Sequence, residues 1–137
     1  MDHEQLRRIF EETKIIAVVG ASSDPSKSAH EIPAYLAEQD YRVIPVSPKG
    51  GELFGEPVRA ALRDIDVPVD VVDVFRPPEE ATGIAEEAVA IGAKRIWFQP
   101  GTESDEAIHI ARAAGLEVVA GRCMGTTHGA LGLGPGP

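Results

Sequence analysis

Lys14-Ile15-Ile16-Ala17-Val18-Val19-Gly20, followed by Ala21-Ser22-Ser23-Asp24-Pro25-Ser26-Lys27-Ser28-Ala29-His30, is the stretch that decides the fold. An unbroken apolar run of this length, closed by glycine, is the pattern of a strand buried on both faces. Strands of that kind belong to parallel sheets covered by helices on either side. The polar, small-residue segment after Gly20 then reads as a loop opening a helix.

Working outward, the same alternation recurs along the chain. Leu6, Ile9 and Phe10 stand at helical spacing before the first strand. A helix is expected from about Ile32 to Gln39, with Pro33 in its first turn, where a missing N–H costs little. Further strands are expected at Arg42–Val46, Val69–Phe75, Lys94–Phe98 and Leu116–Ala120. Pro45 is a blemish in the second of these and suits a strand end or bulge. Helices opening at Pro77-Pro78-Glu79-Glu80 and Ser104-Asp105-Glu106 fill the later gaps, stopping at Gly92 and Gly115. The expected architecture is α/β: a single Rossmann-like, doubly wound parallel sheet of about five strands, order 3-2-1-4-5, with helices on both faces. Its switch point would fall between the first and fourth strands. The domain is expected over residues 1–124, with a Gly/Pro-rich C-terminal tail, 125–137, free of regular structure.

Composition narrows the class. A chain of 137 residues suffices for one continuous core, and 43% hydrophobic content fits a folded domain. The single cysteine excludes a disulfide framework and fits a reducing, cytoplasmic setting. No run approaches ~20 uncharged apolar residues, so no membrane partner is expected. A net charge of -9 argues against nucleic acid, whose binding rests on Lys and Arg neutralising phosphates. It leaves room for one small anionic ligand held by local cations and dipoles.

Ligands of such sheets sit beyond the carboxyl ends of the strands. There the loop from Gly20 offers backbone N–H groups at a helix start, which favour phosphate. Ser22, Ser23, Ser26 and Ser28 add hydroxyls, and Lys27 adds a cation. A nicotinamide-dinucleotide fingerprint needs glycines where Ser22 and Pro25 stand, and an acidic residue ending the second strand. That strand ends instead in Val46-Ser47-Pro48-Lys49, and Lys49 suits an extra phosphate on or near a ribose. Phe75 reads either as the wall of an adenine site or as core. Arg76 reads as a stacking or phosphate-binding guanidinium, or as the partner of a helix carboxylate. Gln99 and Gly101 follow the fourth strand beside the first loop, while Trp97 and Phe98 read as core. Catalytic sets are absent by motif. Cys123 and His128 are too sparse for a metal site, His30 reads as a cap or ligand contact, and Asp64, Asp66, Asp70 and Asp73 are assigned to strand edges and turns.

The ordered set of segments resembles a known family. Ala17-Val18-Val19-Gly20-Ala21-Ser22, Tyr41-Arg42-Val43-Ile44-Pro45-Val46-Ser47-Pro48, Val69-Asp70-Val71-Val72-Asp73-Val74-Phe75-Arg76, Ile96-Trp97-Phe98-Gln99-Pro100-Gly101 and Arg122-Cys123-Met124 are similar to the small stand-alone CoA-binding proteins. Those look like the N-terminal CoA-binding domain of the succinyl-CoA synthetase alpha subunit. The resemblance covers about Glu11 to Met124. It implies a pyrophosphate against Gly20, Ala21, Ser22 and Ser23, with Pro48 and Lys49 flanking the adenosine and Lys49 meeting its 3′-phosphate. It also implies Val74, Phe75 and Arg76 on the other side, and Gln99 and Gly101 along the pantetheine arm. The chain departs from the family pattern at Ser47 (usually Asn), Gly121 (usually Asp) and Gly125-Thr126-Thr127 (usually more acidic). The expected function is binding of coenzyme A or acyl-CoA without catalysis. The rivals are an NAD(P)- or nucleotide-dependent enzyme on the same fold and a regulatory or partner-docking module. A homo-oligomer and a separate enzyme subunit both stand open as assemblies.

Overall fold

The computed structural model describes residues 1–136. In chain order the elements are α1 (His3–Glu12), β1 (Ile15–Val19), α2 (Ser28–Glu38), β2 (Arg42–Val46), β3 (Glu52–Leu53), β4 (Glu56–Pro57), β5 (Val71–Val74), α3 (Ala81–Ala90), β6 (Arg95–Phe98), α4 (Asp105–Ala113), β7 (Glu117–Ala120) and α5 (Met124–Ala130). Short 3-10 turns cover Leu62–Asp64 and Pro78–Glu80. Local chemistry explains the boundaries. Asp2 and Gln5 form a reciprocal capping box at α1, and the Ser104 hydroxyl accepts from Ala107 N–H at α4. Gly92 ends α3 in a left-handed conformation, with φ +72°.

Five strands form one parallel sheet in the order β2-β1-β5-β6-β7, and β3 pairs with β4 in a separate antiparallel hairpin. Numbering only the five sheet strands, the order is 2-1-3-4-5, which corrects the expected 3-2-1-4-5. Pro45 supplies the reason. A strand interrupted by proline cannot donate on both sides, so β2 takes the sheet edge and leaves both sides of β1 to strands able to pair. The chain crosses from β1 to β2 by α2, then returns past β1 to β5. The switch point therefore lies between β1 and β5.

The sheet carries two apolar layers. On one face, α3, α4 and Leu62 of the long 47–70 connection cover Ala17, Val72, Val74, Ile96 and Phe98. On the other, α1, α2 and α5 cover Ile16, Val18, Val71 and Trp97. Trp97 is fully buried and its indole N–H donates to the Arg122 carbonyl at 2.8 Å. Asp70 accepts from the Lys14 and Ile15 N–H groups at 2.9 Å each, which ties the start of β1 to β5. Burial pushes its carboxyl up, but these bonds and Lys94 outweigh it and hold it below the ordinary value.

Three further expectations change. Pro33 lies in the second turn of α2 rather than its first. The segment after Met124 is helical: α5 packs on α2, with Met124 and His128 buried on its inner side. Gly125 lets the two helices approach: an added Cβ would stand 3.0 Å from Ile32 Cγ2, which would have to give way. The domain thus runs past residue 124, and of the expected tail only Pro137 lies outside the described residues. Asp73, assigned to a strand edge, is buried in the middle of the central strand. Among the described residues, no helix is long and apolar enough to cross a membrane.

Candidate functional site

At the carboxyl ends of β1, β2 and β5 the three connecting loops enclose a cleft of about 540 Å³. Of the residues singled out from sequence, Gly20, Ala21, Ser22, Ser23, Lys27, Pro48, Lys49, Phe75 and Arg76 line it. Val74, Gln99 and Gly101 do not, and neither do Ser26 and Ser28. Val74 is wholly buried in the core, Gln99 is buried with its Oε1 accepting from Met124 N–H, and Gly101 sits in the exposed turn after β6.

The loop after β1 is built by a hydrogen-bond relay. Pro33 has no N–H to offer the Ala29 carbonyl, one helical turn back, and Ser22 N–H takes that acceptor at 3.1 Å. Gly20 N–H donates to Val46. Asp24 accepts from Ser26 through both backbone and hydroxyl, and these bonds lower its carboxyl below the ordinary value. His30 Nδ1 is 2.7 Å from the Ser22 carbonyl, so it fastens the loop, and its ring packs against Phe54 in the hairpin turn. Among the described residues, the N–H groups of Ala21, Ser23, Ser28 and Ala29 are left without a protein acceptor. They lie at or before the start of α2, where the helix dipole adds to them. Ser22 thus has its hydroxyl rather than its N–H to offer.

Gly20 is the point of closest approach. Its φ is +91°, and a Cβ there would stand 2.6 Å from Arg76 Cδ and 3.1 Å from the Phe75 carbonyl. The Arg76 stem therefore lies across the glycine, and its half-exposed guanidinium pairs with Glu80 at 2.6 Å. That pair holds the Glu80 carboxyl below the ordinary range. On the opposite wall Ser47 Oγ accepts from Lys49 N–H at 3.2 Å. Serine thus supplies the side-chain bond of this turn and holds the start of the exposed Pro48-Lys49 segment.

The far end of the cleft was not legible in advance. Ala60, Ala61 and Leu62 of the 47–70 connection line the cleft as well, as do Glu80, Ile84 and Glu87. The last three are spaced i, i+4, i+7, so helical periodicity alone places them on one face of α3 and its lead-in turn. Nothing in the sequence said that this face borders the cleft.

Cys123 and His128 part company. Cys123 is half-buried and caps α5 beside a second cleft of about 420 Å³ with Pro100, Gly121 and Thr126. Burial raises its thiol, but hydrogen bonds from Thr126, Gln99 and Gly125 outweigh this and lower it. His128 lies on the other side of α5, buried among Phe10, Tyr35 and Tyr41, with Nδ1 2.8 Å from the Tyr35 hydroxyl. Burial lowers its pKa.

Known proteins are similar to this chain. A family model described as a CoA binding domain matches residues 14–129. The protein YneT of Bacillus subtilis (strain 168), described as uncharacterized, is 33% identical over 124 residues, 90% of this chain and 92% of its own. A solved structure from Thermus thermophilus superposes with a TM-score of 0.92 at 44% identity, covering 96% of this chain and 99% of that one. The dinucleotide-forming acetyl-coenzyme A synthetase 1 of Ca. Korarchaeum cryptofilum matches with a TM-score of 0.73 at 29% identity. That match covers 85% of this chain and 27% of the synthetase, which is therefore much the longer protein.

Proposed function

Because the chain belongs to the CoA-binding domain family, we propose that it binds coenzyme A, free or acylated, in the cleft at the β1–β5 switch point, without catalysis of its own. The observation that carries this reading is the cleft's polarity. Lys27, Lys49 and Arg76 all line it, next to the free N–H groups at the start of α2. In a chain of net charge -9, three cations against two carboxylates, Glu80 (paired with Arg76) and Glu87, leave this glycine-floored cleft net positive, which favours a ligand with phosphates.

On this reading the pyrophosphate lies over Gly20, Ala21 and Ser23, with the Ser22 hydroxyl donating to it. Lys27 meets it from the entrance to α2. Lys49 takes the 3′-phosphate, Pro48 and Phe75 flank the adenosine, and Arg76 exchanges part of its bond with Glu80 for a phosphate oxygen. Val74 supports the wall from the core, and Gln99 and Gly101 stand outside the cleft toward the pantetheine end.

Thermal unfolding with added ligand tests the proposal. A ligand at about 100 times its Kd stabilises by ~2.7 kcal/mol, or roughly 10 °C in a domain of this size. CoA is expected to raise Tm by that order, with NAD and ADP raising it far less. A rise with NAD and none with CoA would transfer the site to the nicotinamide reading.

A further inference from the structure

Cys123 stands in the wall of the second cleft, away from the residues assigned to CoA. Leu6, Pro100, Ala130 and Leu131 make those walls apolar, and the other titratable side chains on them are His3 and Arg122. The sulfur is only half-buried, so a small reagent in the cleft can reach it. Donors converge on it from two elements. Gln99, after β6, accepts from Met124 N–H at 3.0 Å through Oε1 and turns its amide N–H to the sulfur. The Thr126 hydroxyl donates to it from α5, as do the Gly125 and Thr126 N–H groups.

A separate observation comes from the sheet beneath. Asp73 is wholly buried, and neither of its carboxyl oxygens has a hydrogen-bond partner among the described residues. Its register neighbours are Val18 and Trp97, which lie in the layer covered by α1, α2 and α5. Trp97 reaches the Arg122 carbonyl from that layer, and Asp73 lies near enough to Cys123 for the thiol to raise its carboxyl further. His128 faces the other side of α5, among aromatic rings. Two acids so close do not both ionise. The donors surround the sulfur and none reaches the carboxyl. The negative charge of the pair therefore rests on sulfur while Asp73 keeps its proton.

We infer that Cys123 is a thiol–disulfide exchange site: its Sγ attacks a small uncharged disulfide held in the second cleft and becomes S-thiolated. The thiolate attacks one sulfur of the disulfide. A new S–S bond forms to Sγ, the original S–S bond breaks, and the other half leaves as a thiolate that takes a proton from water. The cysteine sulfur is oxidised as the departing sulfur is reduced, so no further oxidant is needed. Apolar walls suit an uncharged reagent, and the chain has no second cysteine to displace the adduct.

Mass spectrometry of the intact protein treated with 2-hydroxyethyl disulfide tests the inference. One half-disulfide per chain is expected, released again by dithiothreitol. At pH 7 the folded protein is expected to react about three- to tenfold faster than the urea-unfolded chain, because a lower pKa raises the thiolate share more than it weakens the nucleophile. Thr126→Val, at an exposed position, is expected to slow the reaction about two- to fivefold at pH 7 and not at pH 10, where the thiol ionises without help. Ala130→Phe, which fills the cleft, is expected to slow it at least threefold with no change in thiolate absorbance. Asp73→Asn is expected to leave that absorbance at pH 7 within about twofold, since the acid is already neutral. A folded chain reacting no faster than the unfolded one overturns the inference. So does equal slowing of Thr126→Val at both pH values, an unchanged rate in Ala130→Phe, or a large gain of thiolate in Asp73→Asn, which would put the charge on the carboxyl. CoA binding is measured separately and stands or falls apart from these results.

Discussion

Gly20→Ala is expected to lower the affinity for CoA by about 10- to 100-fold and to cost the fold about 1–3 kcal/mol. Two effects combine. A side chain at φ +91° is strained whatever the space around it, and the new methyl would also sit 2.6 Å from Arg76 Cδ. The arginine stem must swing away, taking its guanidinium out of the cleft and breaking its pair with Glu80. The floor of the cleft rises at the same time. Urea unfolding and calorimetry read the two losses separately. A double variant separates their causes: Arg76→Ala removes the collision but not the backbone strain. It should therefore be less destabilising in the Gly20→Ala background than in the unaltered protein. Equal costs in both backgrounds would mean that the arginine is not what Gly20 accommodates.

Asp73 carries the second large effect. It lies in β5 with its carboxyl wholly buried, and neither oxygen has a hydrogen-bond partner among the described residues. Burial, with a smaller contribution from the nearby Cys123, pushes its pKa well above the ordinary 3.8. Below that value both folded and unfolded chains hold the proton, so the group is neutral to stability. Above it the unfolded chain ionises freely, whereas the folded chain must keep the acid neutral or charge it in an apolar layer. Stability is therefore lost as pH rises from about 4, and the loss levels off above the folded-state pKa. Asp73→Asn should abolish this slope. Asp73→Val, which also removes the unsatisfied oxygens, should stabilise the protein at pH 8 by about 1–3 kcal/mol. The paired carboxyls of Asp70, Glu80 and Glu117 are held low and act in the opposite sense, losing stability as pH falls. The difference between unaltered and variant curves isolates Asp73. Parallel curves for the unaltered protein and Asp73→Asn would show that this carboxyl finds a partner in solution.

The strands were legible because each is an apolar run bounded by punctuation, and the helices because Ser104, Gly92 and Gly115 stand where caps are required. Strand order is not legible in the apolar runs themselves; Pro45 bears on it, because a proline suits an edge strand and so limits which strands can stand beside it. The helical C-terminal segment was hidden by composition. Glycines at 125 and 129 read as loop until α2 is seen to approach closely, with Ile32 at one and Tyr35 at the other. The cationic lining of the cleft could be read because its residues directly follow the strands. The rest of the lining could not, since Ala60 lies in the β2–β5 connection and Glu87 on α3, between β5 and β6. Asp73 looked like an edge residue because sequence does not say which strand becomes central.

On the proposed reading, the cations of this cleft are placed for the phosphates of CoA. Calorimetric titration with CoA and with dephospho-CoA addresses it most directly, because the two differ only in the 3′-phosphate assigned to Lys49. CoA is expected to bind at one site per chain and at least tenfold more tightly than dephospho-CoA, with Lys49→Ala reducing the two to similar affinities. Equal binding of both by the unaltered protein would contradict the role of Lys49, and no binding of either would contradict the account as a whole.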